Sequence, residues 1–145
     1  MFITLEQAVA HLRAETDDPR LQAMLDGAER SVIEALDRNV YADSSALAAA
    51  IAAAPATLAT AKTAYDVAMT AAEALDDADL QASAELYAES AWRAAQAASD
   101  RTQYGIVVNA DIKAAILLQL QHLFDGADTV SAVASLVQPH RRLGL

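Results

Sequence analysis

Apolar positions along this chain recur at helical spacing almost from end to end. Leu5, Ala8, Val9 and Leu12 fall on one face of a first short helix, because residues three and four apart stack on the same side of a helix. Thr4-Leu5-Glu6-Gln7 before it reads as a capping box, with Thr4 as N-cap and Gln7 reaching back from the third helical position. The helix is expected to stop near Ala14. Asp17-Asp18-Pro19 then predicts a restart: an acidic cap with Pro19 at the first helical position, where its missing N–H costs nothing. Leu21, Met24, Leu25, Ala28, Val32, Ala35 and Leu36 carry a second stripe to about Arg38.

Asn39 to Ser45 breaks the pattern, and Ala46 to Tyr104 is dominated by alanine. Ala46 to Ala54 predicts a short helix that Pro55 ends. Beyond Pro55 two stripes predict an antiparallel helical hairpin. Leu58, Ala61, Tyr65, Ala68, Ala72 and Leu75 form one; Leu80, Ala84, Tyr87, Ala91, Ala94 and Ala98 form the other. Asp76-Asp77-Ala78-Asp79 between them is a polar turn that also caps the second helix. Folded back, the seam of Leu58, Tyr65, Ala68, Leu75, Leu80, Tyr87 and Ala91 sets large residues against small ones. Ala68 faces Tyr87, and Tyr65 faces Ala91, an arrangement that lets two helices approach closely. Trp92 lies off this seam and is expected to anchor the hairpin against the main body.

Past Gly105, Ile106-Val107-Val108 predicts an extended bridge into Asn109, a good N-cap. Ile112, Ala115, Ile116, Leu118, Leu120, Leu123 and Phe124 nearly encircle the helix that follows, which marks it as central. Asp125-Gly126 stops it. Asp128 or Thr129 caps a last short helix carrying Val130, Val133, Leu136 and Val137, which Pro139 terminates. The fold class is therefore all-α: a small bundle of four helices, an Ala-rich hairpin inserted between the second and third, and an extended C-terminal arm.

Composition sharpens this picture. One domain spanning 1–145 is the natural reading of 145 residues. Apolar residues make up 54% of the chain, but alanine supplies much of that and carries little transfer free energy, so the core is thin. The chain has no cysteine, which excludes disulfides, thiolate zinc sites and a cysteine nucleophile. The opening FITLEQAVAHLR, acidic early and without a basic start, does not read as an export signal. The most apolar run, ALAAAIAAAPA, is shorter than the roughly 18 residues a membrane span needs and contains Pro55. The expectation is a soluble cytoplasmic helical protein that touches no membrane.

A formal charge of −10 argues against tight general binding to nucleic acid. Catalytic signals are scarce. His11, His122 and His140 stand outside any HExxH-like pattern, so no metal site is expected, and His122 on the central helix reads as structural. No glycine-rich phosphate loop or GxSxG elbow is present, so no cofactor is expected. The acid pairs lie at helix starts, where the helix dipole accounts for them. The tail is different. Gln138-Pro139-His140-Arg141-Arg142 is basic on an acidic chain, and Leu143 and Leu145 supply apolar anchors. Such a segment reads either as a peptide-like arm for a protein partner or as an unstructured terminus.

Two blocks bear on that choice. The opening FITLEQAVAHLRAETDDPRLQAMLDGAERSVIEALDR resembles the start of the tailed-phage head–tail connector (adaptor, head-completion) family, in which a T-L-E…H-L-R helix is followed by acidic residues and a long helix. The close, ADIKAAILLQLQHLF…VSAVASLVQPHRRLGL, resembles the same family's ending: a capped apolar helix, a short helix, then an L-x-x-P-Y-R tail. The resemblance covers residues 1–43 and about 106–145, leaving 44–105 as an insertion where the family has a short linker. His140 stands where the family usually has an aromatic, and Phe124 where a tyrosine is frequent.

The resemblance implies a structural role, without catalysis or cofactor. About twelve copies would form a ring under the portal of a virion or gene-transfer particle, with the free subunit able to stay monomeric until the portal is present. The ring would extend the DNA channel and receive a stopper or tail-completion protein. DNA would pass without specific binding, since an acidic lining repels phosphate. The arm, Gln138 to Arg142 with Leu143 and Leu145, would reach the portal. Before assembly the subunit would sit in the host cytoplasm. The competing reading is a cytoplasmic helical scaffold or coiled-coil dimer with the hairpin as interface; a small enzyme using His122 is a third.

Overall fold

A computed structural model describes residues 1–15 and 18–142. The chain is mostly helical. Among the described residues six α-helices run in order: α1 (Leu5–Leu12), α2 (Leu21–Leu36), α3 (Ser44–Glu73), α4 (Ala78–Gln103), α5 (Ala110–Asp125) and α6 (Val130–Val137). Two short strands, β1 (Val40–Tyr41) and β2 (Ile106–Val107), pair in parallel, with Val40 opposite Ile106 and Tyr41 opposite Val107. The chain divides into two compact units, Met1–Ser44 together with Gly105 onward, and Ser45–Tyr104.

In the first unit, local chemistry fixes the helix ends. Thr4 Oγ1 accepts from Gln7 N at 3.2 Å while Thr4 N donates to Gln7 Oε1 at 3.0 Å, completing the capping box. Arg13 closes α1 and Asp37 closes α2, both in the left-handed region at φ 52° and 51°. The start of α2 differs from expectation. Pro19 is not at the first helical position: Asp18 and Leu21 bracket a turn, with Leu21 N donating to the Asp18 carbonyl at 3.1 Å and Arg20 N to Asp18 Oδ1 at 2.9 Å. An aspartate that captures the N–H two residues on stabilises a turn in place of the first helical turn.

α5 is the central helix of this unit, packed against α1, α2 and α6. Ile112, Ala115, Ile116 and Leu120 on α5 are buried against Leu21, Leu25, Ala28, Val32 and Leu36 of α2, with Ile3, Ala8 and Val137 completing the core. Asn109 caps α5 through Oδ1, which accepts from Ile112 N at 2.9 Å, and Gly126 ends it at φ 74°. The extended bridge after Gly105 is present and has a partner: Ile106 N donates to Asn39 O at 3.0 Å, and Val108 N to Tyr41 O at 2.8 Å.

The second unit consists of α3 and α4, with a short acidic turn between them. Asp77 caps α4, its Oδ1 accepting from Asp79 N and Leu80 N at 2.9 and 3.0 Å. Three expectations are corrected here. First, Pro55 does not end a helix; it lies inside the continuous 30-residue α3. Proline in a helix interior costs about 3 kcal/mol, but it sits on the exposed side next to buried Ala54, and the flanking alanine runs have the highest helix propensity. Second, α3 is consequently long and apolar enough to cross a membrane by length and composition, at a mean hydropathy of 1.4 over its best window, so the argument from a run broken at Pro55 does not hold.

Third, the seam is displaced. Leu58 and Tyr65 face the partner helix as expected, but Tyr65 meets Trp92, not Ala91, with ring centroids 6.0 Å apart and planes at 34°. Trp92 is thus on the seam. Ala54, Ala72 and Ala88 are its buried alanines, while Ala68 and Ala91 are exposed and Leu75, Leu80 and Tyr87 stand 40%, 60% and 79% exposed. The inward positions of α4 run Ala88, Trp92, Ala95, Ser99. Rotating that helix by one residue trades alanine for alanine along most of its length, so hydrophobicity alone does not fix its face; burying the indole does.

Candidate functional site

The sequence places the functional weight on the C-terminal segment, and the structure builds its surroundings from α2, α5 and α6. α6 lies along α5. The turn between them is closed twice: His122 Nδ1 lies 2.7 Å from Ala127 O, a carbonyl that can only accept, and Thr129 Oγ1 donates to Leu118 O at 2.9 Å. His122 thus ties down the turn that follows α5. Thr129 stands at the N-cap of α6 but spends its hydroxyl on α5.

Beyond Val137, which is buried, Gln138–His140 form a single 3₁₀ turn with Pro139 in its first positions. The expectation that the tail leaves the fold here is corrected. His140 Nε2 lies 3.0 Å from Asp111 Oδ2 and 3.3 Å from Asn109 Nδ2, at the N-terminus of α5. Arg142 N donates to Leu36 O at 3.0 Å. That carbonyl ends α2, where the last turn lacks partners within the helix, so the tail satisfies a group that would otherwise need water. Residues 138–142 are thereby held against their own unit. Gln138, Pro139 and Arg141 are exposed, and His140 and Arg142 are half-buried. Leu143 and Leu145 lie outside the described residues.

Beside this segment runs an open groove of about 480 Å³ lined by Ala35, Gln119, Val130, Val133, Ala134, Val137, Gln138 and Arg141. Its walls are mostly apolar, and Val130 is 58% exposed. Arg141, an exposed residue, is the one charged residue of the lining. The combination suits an acidic or carboxylate-bearing segment that also offers aliphatic side chains.

Two further ionic features complete the unit, of which only Asp18 is marked by the sequence pattern. Glu29 is buried, 8% exposed, in the α2 stripe. Its Oε1 accepts from Phe2 N at 2.5 Å and Ile3 N at 3.1 Å, so one carboxylate ties down the segment that precedes α1. The signal available was position: Glu29 stands four residues after Leu25 and three before Val32, inside the apolar stripe. Asp18 accepts from Arg20 Nε at 3.1 Å and from Arg20 Nη2 at 2.8 Å. The side-chain and then the backbone hydrogen bonds from Arg20 hold its carboxyl down at about 2. Arg20 also lies 6.0 Å over the Phe124 ring.

Among the described residues no group of three or more His, Cys, Asp or Glu could hold a metal ion. This surface presents an exposed arginine, a held 3₁₀ turn and a largely apolar groove. No family model, no curated protein and no solved structure matches the chain.

Proposed function

We propose that this chain is a structural head–tail connector subunit: a ring under the portal, in which a four-helix framework carries α3 and α4 as an inserted hairpin. The observation that carries the reading is the placement of the tail. The two blocks that resemble the connector family, 1–43 and about 106–145, fold into one unit, and the family-like tail is anchored there by His140–Asp111 and Arg142–Leu36 with Arg141 exposed beside the apolar groove. An anchored root presents the following residues from a fixed point, which lowers the ordering cost of docking.

Charge supports the same reading. At −10, subunits gathered round a channel repel the phosphate backbone, so DNA slides without sticking. The subunit performs no catalysis and takes no cofactor. It joins the portal to a stopper or tail-completion protein at the virion neck, after a period in the host cytoplasm. The test is binding of the purified chain to its cognate portal, by co-sedimentation and negative-stain imaging. Arg141→Glu and Val130→Asp, both at exposed positions, are expected to abolish binding without changing helix content. Undiminished binding of both variants would reject the tail and groove as the contact.

A further inference from the structure

The second unit is two-faced. Counting about 100° per residue, Ala64, Ala68, Ala71 and Leu75 of α3 point to one broad side of the hairpin, and Leu80, Ala84, Tyr87, Ala91, Ala94 and Ala98 of α4 point to the same side. Two shallow depressions on this side bear the geometry out: Ala68, Leu75, Ala84, Tyr87 and Ala91 line one, and Ala53, Thr57 and Ala98 line the other. None of these residues is charged, and the large ones are exposed, Tyr87 at 79% and Leu80 at 60%. The opposite side carries the charges: Lys62 paired with Asp66, Arg93 paired with Glu89 at 2.8 Å, and Glu85 accepting from Gln81. A hairpin exposed to water on both sides has no use for such a division.

We infer that the uncharged side binds a second copy of itself, antiparallel, to form a four-helix bundle. Size fits. α4 has 26 residues, about 39 Å at ~1.5 Å per residue, and two helices side by side span roughly 20 Å, so two copies would bury about 1,500 Å², the range of specific interfaces. Side-chain volume selects the antiparallel arrangement. Large residues (Leu75, Leu80, Tyr87) occupy the tip half and small ones (Ala53, Thr57, Ala98) the other half. A two-fold axis at the level of Ala64 and Ala91 sets Leu75 against Ala53 of the second copy and Tyr87 against Ala95 of the second copy. Charge selects it too. A parallel pair would bring six carboxylates, Asp76, Asp77 and Asp79 of each copy, to one end; the antiparallel pair keeps the two acidic tips at opposite ends and turns both charged faces outward. A two-fold contact is separate from the head-to-tail contact that closes a ring, so this pairing stands or falls without the connector reading.

The experiment uses the full chain without portal. Sedimentation equilibrium across the micromolar range is expected to give twice the subunit mass of 15.3 kDa. Ala91→Glu places two carboxylates face to face near the axis and is expected to weaken pairing at least about 100-fold, whereas Ala82→Glu, exposed on the charged side, leaves it intact. Both positions are exposed, so circular dichroism should be unchanged in each. Because the chain has no cysteine, Ala64→Cys should oxidise to a covalent dimer and Ala78→Cys, at the tip, should not. A monomer at all concentrations, equal loss in the two glutamate variants, the reverse cross-linking pattern, or a monomer that instead partitions onto phosphatidylcholine vesicles through α3 would each overturn the inference.

Discussion

Replacing Glu29 with alanine tests the packing of the first unit at a single carboxylate. The side chain is 8% exposed and accepts two backbone N–H groups, from Phe2 at 2.5 Å and Ile3 at 3.1 Å. Ile3 is itself 2% exposed, so its N–H has no route to water. Removing the acceptor allows two responses. If the segment stays in place, the buried Ile3 N–H loses its partner at about 1–3 kcal/mol and the half-buried Phe2 N–H at about 1 kcal/mol. If the segment lifts away to hydrate both groups, burial of the Ile3 side chain is forfeited at about 2–3 kcal/mol. The chain takes the cheaper route, so the cost is about 2–3 kcal/mol either way. For a unit of about 85 residues that lowers the thermal midpoint by about 10–15 °C. Glu29→Gln keeps an acceptor oxygen but loses the charge, and is expected to cost about 1 kcal/mol. Far-UV circular dichroism follows the unfolding. Trp92 is the only tryptophan and belongs to the second unit, so its fluorescence transition should move less than the dichroism transition. A Glu29→Ala midpoint within 2 °C of the parent, or a Gln variant as damaged as the Ala variant, would refute the reasoning.

Other expectations follow the same logic. Ile116→Ala empties a fully buried site at the α2–α5 contact and should cost about 3–4 kcal/mol in urea unfolding. Trp92→Ala removes the ring that packs on Tyr65 and should destabilise the α3–α4 unit by about 2 kcal/mol, whereas Leu86→Ala, at a 68% exposed position, should stay within about 0.5 kcal/mol; hydrogen exchange in the two helices distinguishes them. Asp18 should titrate at about 2 by NMR and return toward 3.8 in Arg20→Ala. Because the folded value lies below the unfolded one, its contribution to stability is present above about pH 4 and is lost as pH falls through about 2.

What could be read from the amino acids alone divides along local and non-local lines. The capping box at Thr4, the Asn109 cap, the Gly126 stop and the central position of α5 are written in contiguous residues, and one turn of backbone suffices to decide each. The pairing of Val40 with Ile106 joins positions 66 residues apart, and a two-residue strand carries no periodicity to announce it. At Pro55 the helix-breaking tendency of one residue competes with the summed propensity of its alanine neighbours, and the helix continues. The seam of α4 was displaced because its alanines give nearly the same pattern on two adjoining faces. The stripe of Leu80, Ala84, Tyr87, Ala91, Ala94 and Ala98 lies mostly outside the contact between α3 and α4. The tail was recognised as distinctive by its charge, whereas its anchorage was not legible, since Asp111 and Leu36 reach it only once α2 and α5 have packed.

The connector assignment meets its most direct test in native mass spectrometry of the purified chain mixed with its cognate portal ring. The account predicts a discrete complex holding one copy per portal subunit, lost when Arg141 is replaced by glutamate. A portal that remains bare at saturating concentration, with this protein recovered only as free monomer or dimer, would contradict it.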